Sequence, residues 1–228
     1  MRDLRAIVFD LDDTLWPVGP VILRAEHAML DFLGRHYPRV TGLHTLESMR
    51  ALRARMAQEH PAMRHDFTWL RKQALLAHAR EAGYPERMAE EAFDVFYRAR
   101  NEVGLYEDVL PALDRLGARY RLFALSNGNA DLASIGISGR FEAALAAREA
   151  GCLKPDPRIF SQLLERAGLE PAAVLHAGDD PVADVDGARR AGLAAVWVNR
   201  HGMQWPGDVD PPSHEVRSLA ELVVLLDA

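Results

Sequence analysis

The spacing of hydrophobic and polar positions changes twice along the chain. The apolar run Ala6–Phe9 predicts a short buried strand that ends where a series of acidic residues begins. From about Pro20 to Glu102, apolar residues recur at intervals of three and four, which indicates about four amphipathic helices. After Gly104, runs of strand length alternate with helical patterns.

The helical block has recognisable helix boundaries. Arg53 interrupts the apolar stripe of the second predicted helix. Asp66 or Thr68 is the expected N-cap of the third helix, and Gly83 is expected to end it. Pro85 opens the fourth.

The last part of the chain predicts a parallel sheet covered by helices on both faces. Its expected strands are Arg121–Leu125, Ala173–Ala177 and Ala194–Val198, and its expected helices are Val109–Leu116, Ile159–Ala167 and Val182–Ala191. The fold class is therefore α/β, with a Rossmann-like parallel core formed by residues 1–16 and 104–228. Residues 17–103 form an all-helical domain inserted after the first strand.

Composition excludes several classes of protein. The 228 residues carry 27 basic and 33 acidic side chains, a net charge of -6, which argues against a nucleic-acid binder. Cys152 is the only cysteine, so an intramolecular disulfide or a cysteine-based zinc cluster is excluded. The chain has no signal-peptide pattern and no run of roughly 20 apolar residues, and we expect a cytoplasmic protein without membrane contact.

An acidic motif follows the first strand: Asp10-Leu11-Asp12-Asp13-Thr14. Side chains alternate along extended backbone, so Asp10 and Asp12 project to the same side. One carboxylate can then act as a nucleophile and the other as a proton donor. The competing interpretation is a plain acidic turn.

Two further motifs follow later strands. Ser126-Asn127-Gly128 closes a predicted strand, where a hydroxyl and backbone N–H groups suit a phosphate, although a simple turn has the same composition. Lys154-Pro155 precedes a helix, and the proline restrains the lysine backbone. The ammonium group can meet phosphate or a crowded carboxylate, or it can be solvated.

The fourth motif is Gly178-Asp179-Asp180, with Asp184 four residues later. Asp180 is a candidate helix cap, and we expect a structural role for one of these three acids. Ligands of parallel sheets bind at the carboxyl ends of the strands, so the four motifs should meet there. The two acidic clusters suit Mg²⁺, which prefers oxygen ligands, and the serine and lysine suit a phosphate.

The four motifs, in this order, resemble those of the haloacid dehalogenase superfamily of phosphatases. The resemblance implies that the helical block is a cap of the type inserted at the first position. It makes Asp10 the nucleophile that forms an aspartyl-phosphate and Asp12 the general acid and base. It also implies that Asp10, the backbone carbonyl of Asp12 and Asp179 bind Mg²⁺. The phosphate would be held by Ser126, Asn127 and Lys154, with Thr14, Asp180 and Asp184 in supporting positions.

A closer likeness concerns Pro20–Arg24 with Glu26, Ser126–Ala130, and His176–Asp180 with Asp184. These segments look like a bacterial branch of flavin-pathway phosphatases, which implies FMN or a phosphorylated riboflavin precursor as substrate. Sugar-phosphate or phosphoglycolate phosphatase and phosphomutase stay open as alternatives, because fold and motif do not determine substrate.

Three other classes of protein are disfavoured. The dehalogenating branch lacks an acid at the position of Asp12, and a non-catalytic phosphate-binding module would be expected to have lost Asp10 or Asp12. Response-regulator receivers place their phospho-accepting aspartate on a middle strand. The expected partner is a small phosphorylated metabolite, and the expected assembly is a monomer or homodimer.

Overall fold

The computed structural model describes residues 3–227. They form two compact units, one made of the described residues up to Pro17 and from Gly104 onward, the other of Val18–Val103. Within the described part, no helix is long and apolar enough to cross a membrane.

The unit Val18–Val103 is all-helical. Among the described residues it contains five α-helices where the sequence predicted about four: α1 Val18–His36, α2 Pro38–Leu43, α3 Leu46–Glu59, α4 Phe67–Glu81 and α5 Arg87–Arg100, with a 3₁₀ turn at Pro61–Met63. The six-residue α2 was missed because only Val40 on it is buried, too few apolar positions for a helical period. Asp66 caps α4 by accepting a hydrogen bond from the Trp69 N–H, and Gly83, with φ of 67°, follows its end as predicted.

A buried acid organises the core of this unit. Glu26 of α1 is 1% exposed and accepts hydrogen bonds from Arg50 at 2.7 Å, Arg53 at 3.2 Å and Arg71 at 3.4 Å. Arg71 also lies over the ring of Phe96, 3.5 Å from its centroid. Arg53 thus interrupts the apolar stripe of α3 because it binds Glu26.

Replacing Glu26 by Gln should lower the free energy of unfolding at pH 7 by about 3–5 kcal/mol, since it leaves the buried guanidinium group of Arg71 without its counter-charge. Burial raises the pKa of Glu26, but the bond from Arg50 and the charge of Arg71 outweigh it and lower the pKa below 4.5. The stabilisation is therefore present above pH 4.5 and disappears as the pH falls through the lowered folded-state value. Chemical denaturation of both proteins across pH 3–8 measures it.

Glu59→Gln is the matched control, because Glu59 is exposed and pairs with Arg55 only at the surface. It should cost less than about 1 kcal/mol. Equal stability of Glu26→Gln and wild type at pH 7 would contradict the argument.

The other unit contains a parallel sheet. Within residues 3–227 it has six strands, β1 Ala6–Phe9, β2 Arg121–Ser126, β3 Ala143–Ala146, β4 Val174–Gly178, β5 Ala194–Val198 and β6 Glu215–Val216, in the order β3-β2-β1-β4-β5-β6. Its helices are α6 Val109–Gly117, α7 Leu132–Ile135, α8 Ala147–Ala150, α9 Pro157–Ala167, α10 Gly187–Arg190 and α11 Leu219–Asp227. A π-helical stretch, Pro181–Asp186, leads into α10, and 3₁₀ turns occur at Ser138–Arg140 and Pro171–Ala173. The predicted α/β class with a parallel sheet is confirmed.

The central position of β1 determines where the site forms. Phe9 is in register with Ala124 of β2 on one side and Ala177 of β4 on the other. The residues that follow Phe9, Ala124 and Ala177 therefore lie side by side at the carboxyl edge of the sheet. On one face of the sheet, Val8 belongs to a buried core cluster with Ile159 and Phe160 of α9 and Val185.

Candidate active site

Asp10 is the first residue beyond β1. Its N–H donates to the carbonyl of Ala177 at 3.0 Å, which continues the β1–β4 pairing by one residue. The carboxylate is buried, and its Oδ1 lies 2.5 Å from Nζ of Lys154. Two of the predicted residues, 144 positions apart in sequence, thus form an ion pair at the sheet edge.

Lys154 is buried rather than solvated, with 3% of its surface exposed. Besides Asp10, its ammonium group donates to the carbonyl of Leu125 at 2.9 Å and to Oδ1 of Asp184 at 2.7 Å. The side chain of Asn127 holds the lysine backbone from both sides: Oδ1 accepts from the Lys154 N–H at 2.8 Å, and Nδ2 donates to its carbonyl at 3.1 Å. The Asn127 side chain therefore positions Lys154; its contact with phosphate stays a prediction.

Asp184 is fully engaged by protein groups. Oδ1 meets Lys154 and also Nε2 of His176 at 3.0 Å, and Oδ2 accepts the backbone N–H of Asp180 at 2.9 Å. Gly178 makes room for this carboxylate, since a Cβ there would come within 2.3 Å of it. The motif requires glycine at this position for that reason.

Asp179 and Asp180 have different environments although they are adjacent. Oδ1 of Asp179 accepts a hydrogen bond from the Thr14 hydroxyl at 3.1 Å. Oδ1 of Asp180 accepts the N–H groups of Val182 and Ala183 at 2.8 and 2.7 Å. Asp180 is thus the helix cap among the three acids.

The loop after Asp10 turns back tightly on itself. Asp13 has a positive φ of 59°, and its N–H donates to the carbonyl of Trp16 at 2.8 Å. Nε1 of the buried Trp16 donates to Oδ1 of Asp12 at 2.8 Å, which holds that half-buried carboxylate in place. On β2, Oγ of Ser126 accepts the N–H of Gly128 at 2.9 Å.

Several supporting residues were not predicted. His176 faces Asp184 from inside β4, Nε1 of Trp197 donates to the Asp179 carbonyl at 2.7 Å, and Nε of Arg200 donates to the Thr14 carbonyl at 2.8 Å. Arg200 is itself held by Asp108 at 3.0 Å. Only His176 left a signal, a polar residue within an otherwise apolar strand.

The site concentrates negative charge. Asp10, Asp179 and Asp184 each offer an oxygen within 4.8 Å of the others. Burial, followed by the charges of Asp184 and Asp179, raises the pKa of Asp10 against the opposing effect of Lys154. Burial and the charge of Asp184 raise the pKa of Asp179 to about 7. Burial opposes ionisation of Asp184, yet Lys154 and His176 hold its pKa below the usual range.

These residues fit a hard divalent cation. Three carboxylates face one ammonium group, so a cation would relieve the repulsion that raises the pKa values of Asp10 and Asp179. Oxygen donors are those that Mg²⁺ prefers. Asp10 and Asp179 suit direct coordination better than Asp184, whose oxygens are occupied by Lys154, His176 and the Asp180 N–H.

The fold and the site together define a Rossmann-like α/β protein with an acidic, lysine-containing site at the carboxyl edge of its central strands. The family model for haloacid dehalogenase-like hydrolases matches residues 4–192, and the chain belongs to this family. The family predicted from the four motifs is thereby confirmed.

Known relatives include both phosphatases and dehalogenases. The chain is 31% identical to the 5-amino-6-(5-phospho-D-ribitylamino)uracil phosphatase YigB of Escherichia coli (strain K12), over 98% of this chain and 96% of that protein. It is 35% identical to the phosphoserine phosphatase of Thermus thermophilus, over 86% and 89% of the two chains. The crystal structure of a 2-haloacid dehalogenase from Pseudomonas syringae pv. Tomato DC3000 superposes with a TM-score of 0.92 at 35% identity, covering 99% of this chain and 100% of that chain.

Proposed function

We propose that this hydrolase is a Mg²⁺-dependent phosphomonoesterase that works through an aspartyl-phosphate on a small phosphorylated metabolite. One observation carries the proposal: Asp10, Asp179 and Asp184 lie together at the carboxyl edge of the sheet, Asp10 is ion-paired to Lys154, and Asp12 follows Asp10 by two residues. The phosphatases among the relatives support the same class of reaction.

In the proposed first half-reaction, a carboxylate oxygen of Asp10 attacks phosphorus. The new bond joins that oxygen to phosphorus, and the bond from phosphorus to the ester oxygen breaks. Protonated Asp12 donates its proton to the departing oxygen, which leaves as an alcohol. Trp16 assists by fixing Asp12 in one orientation.

In the second half-reaction, water attacks the aspartyl-phosphate. Asp12, now a carboxylate, accepts a proton from that water, inorganic phosphate leaves, and the Asp10 carboxylate is regenerated. Lys154 stabilises the negative charge on the phosphoryl group from its fixed position, and Ser126 and Asn127 at the end of β2 complete the phosphate site. Thr14, Asp180 and Asp184 maintain the loops around it through the contacts described above.

Asp10, the backbone carbonyl of Asp12 and Asp179 would hold Mg²⁺. When bound, the ion supplies charge neutralisation that lets an anionic nucleophile approach an anionic phosphate. In this proposal the helical unit Val18–Val103 is the cap domain. Its side chains determine substrate specificity, whereas the acidic site binds the phosphate group that all substrates share.

For the substrate we propose FMN or a riboflavin-precursor phosphate. The relative named as a phosphatase of 5-amino-6-(5-phospho-D-ribitylamino)uracil spans nearly the whole chain, and the motifs resemble the same branch. Sugar phosphates, phosphoglycolate and a phosphomutase reaction are the alternatives. Phosphate release from a panel that includes these compounds and phosphoserine tests the assignment. A kcat/KM for phosphoserine or a sugar phosphate at least tenfold above both flavin-pathway substrates would reject it.

Dehalogenation is the second candidate, because the well-superposed Pseudomonas structure bears that name. Both reactions begin with attack by an aspartate, but displacement of a halide requires no proton donor for the leaving group. The position of Asp12, held by Trp16 at 2.8 Å, therefore favours phosphate esters. Halide release from 2-chloropropionate faster than phosphate release from every ester of the panel would overturn this preference.

Asp12→Asn should slow turnover by about 10²–10⁴-fold, the usual contribution of general acid–base catalysis. In the first half-reaction, the loss of rate should be smaller for p-nitrophenyl phosphate than for unactivated esters, because its leaving group does not need a proton from Asp12. Quenched-flow trapping should reveal an accumulated phosphoenzyme. Equal losses on activated and unactivated esters, without a trapped intermediate, would contradict the role of Asp12.

Removing the metal should abolish phosphate release. EDTA should eliminate activity and Mg²⁺ should restore it, whereas Ca²⁺ should substitute poorly because its larger and looser shell does not suit the same geometry. Asp179→Ala should raise the Mg²⁺ concentration needed for half-maximal activity by about 10-fold or more, while Asp180→Ala should affect mainly stability through its lost helix cap. Full activity in EDTA would contradict metal dependence.

A further inference from the structure

A second cluster of metal-ligating side chains lies within the helical unit, outside the acidic site. His44 follows the end of α2, and His78 and Glu81 belong to the last turn of α4. The two side chains of α4 are three residues apart, so they share one face of that helix. The imidazole centroids of His44 and His78 are 4.1 Å apart, and Nε2 of His44 lies 3.3 Å from Oε2 of Glu81.

Three of the four ring nitrogens in this cluster lack a hydrogen-bond partner among residues 3–227. His78 is 2% exposed, and among residues 3–227 neither of its ring nitrogens is paired. Nε2 of His44 is also buried without a hydrogen bond among those residues, despite its closeness to Glu81. A neutral imidazole always has one donor and one acceptor nitrogen, and buried polar groups of native proteins are nearly always satisfied. Two adjacent imidazoles whose buried nitrogens lack hydrogen bonds indicate that a ligand supplies the missing contact.

The surroundings keep His78 ready to act as a ligand. It lines a small cavity together with Ala74 and Leu75. Neutral imidazole is the commonest protein ligand for transition metals.

We propose that His44, His78 and Glu81 form a binding site for a divalent transition-metal ion of the Zn²⁺ class. One ligand atom of each residue lies within 4.8 Å of the other two. Bonds of about 2.0–2.1 Å in a tetrahedron place ligands roughly 3.4 Å apart, so the ligand atoms, now within 4.8 Å of one another, would draw together around an ion. Glu81 can move in this way, because its side chain is 62% exposed and free to change rotamer.

The chemistry of this site differs from that of the acidic site. Two nitrogen donors and one carboxylate suit Zn²⁺, Co²⁺ or Ni²⁺, whereas Mg²⁺ prefers oxygen ligands. A bound ion would connect the α2–α3 junction to the end of α4 and leave a fourth coordination position for water. We infer a structural role in the helical unit, independent of the proposed phosphatase reaction.

The test uses the protein in excess Mg²⁺, with Co²⁺ added as the spectroscopic probe. Four-coordinate Co²⁺ with imidazole ligands gives strong visible absorption, while six-coordinate oxygen sites give weak bands. Wild type should bind one equivalent with strong absorption, and Zn²⁺ should displace it. His44→Gln and Glu81→Gln should each weaken Co²⁺ binding by about 10-fold or more.

His27→Gln is the matched control, since His27 is an exposed histidine of α1 outside the cluster. It should bind Co²⁺ as wild type does. His78→Gln should abolish the absorption, and if it does not fold, the other two variants decide the question. Zn²⁺ should also raise the melting temperature of wild type but not of His44→Gln.

Two results would contradict the proposed metal site. Unchanged Co²⁺ absorption in His44→Gln and Glu81→Gln would show that these residues are not ligands. Absorption lost in Asp179→Asn and retained in the histidine variants would assign the ion to the acidic site instead.

Discussion

Asp10→Asn is expected to reduce phosphate release by at least about 10³-fold, the scale on which loss of a catalytic nucleophile acts. The amide has nearly the shape of the carboxylate but cannot attack phosphorus. Burial already raises the pKa of Asp10, so removing its negative charge should leave the fold intact. Initial rates on p-nitrophenyl phosphate and on the best metabolite, together with thermal unfolding, measure both effects.

The control is Asp208→Asn, which makes the same change at an exposed aspartate of the same unit. Its rates should equal those of wild type. The substitution is verified by sequencing and the variant is shown to be folded. If this Asp10→Asn protein keeps more than a few per cent of the wild-type rate, Asp10 is not the nucleophile. If the variant loses activity because it unfolds, the effect is structural, and this result also contradicts the expectation that the fold stays intact.

The sequence was informative wherever one physical signal dominated. Strands β1, β2, β4 and β5 were predicted because each is a run of buried apolar residues. β3 was missed because Ala143–Ala146 is three-quarters alanine, which favours helices, and two of its residues are exposed at the sheet edge. β6 has two residues and forms only because β5 offers it a partner.

The site was predictable in position but not in detail. Its acidic residues and Ser126 lie at strand ends, and parallel pairing of β1 with β2 and β4 brings those ends together, whereas Lys154 follows α8. Which acid caps a helix and which meets Lys154 depends on the backbone path through Asp180–Asp184, a π-helical turn that has no distinct sequence pattern. The contacts of Trp197 and Arg200 join segments far apart in sequence, and spacing carries no information about them.

The pairing of Lys154 with two carboxylates links the stability of the fold to the proposed mechanism. Nζ contacts Asp10 and Asp184 at 2.5 and 2.7 Å, and all three groups are buried. Burial lowers the pKa of Lys154, but these carboxylates outweigh it and raise the value above the ordinary one, so the ammonium group keeps its charge. Removing it would leave two buried acids facing each other.

Lys154→Met should therefore lower the free energy of unfolding by about 3–5 kcal/mol, because the variant buries uncompensated charge. It should also reduce kcat by about 10²–10³-fold, the cost of losing one fixed group that stabilises developing negative charge. Lys72→Met is the matched control: Lys72 pairs with the exposed Glu90, and its loss should cost less than about 1 kcal/mol. Urea denaturation and steady-state kinetics measure the two effects.

A double-mutant cycle separates the charge of Lys154 from its bulk. If the destabilisation of Lys154→Met comes from the unpaired Asp10 carboxylate, then adding Asp10→Asn removes part of the repulsion, and the double variant should be more stable than Lys154→Met alone. Contacting charged groups typically show coupling of about 0.5–3 kcal/mol. Additive effects would mean that the lysine acts through packing against its neighbours and not through its pairing with Asp10. The stability measurements would then not support the electrostatic role that the proposed mechanism gives to Lys154.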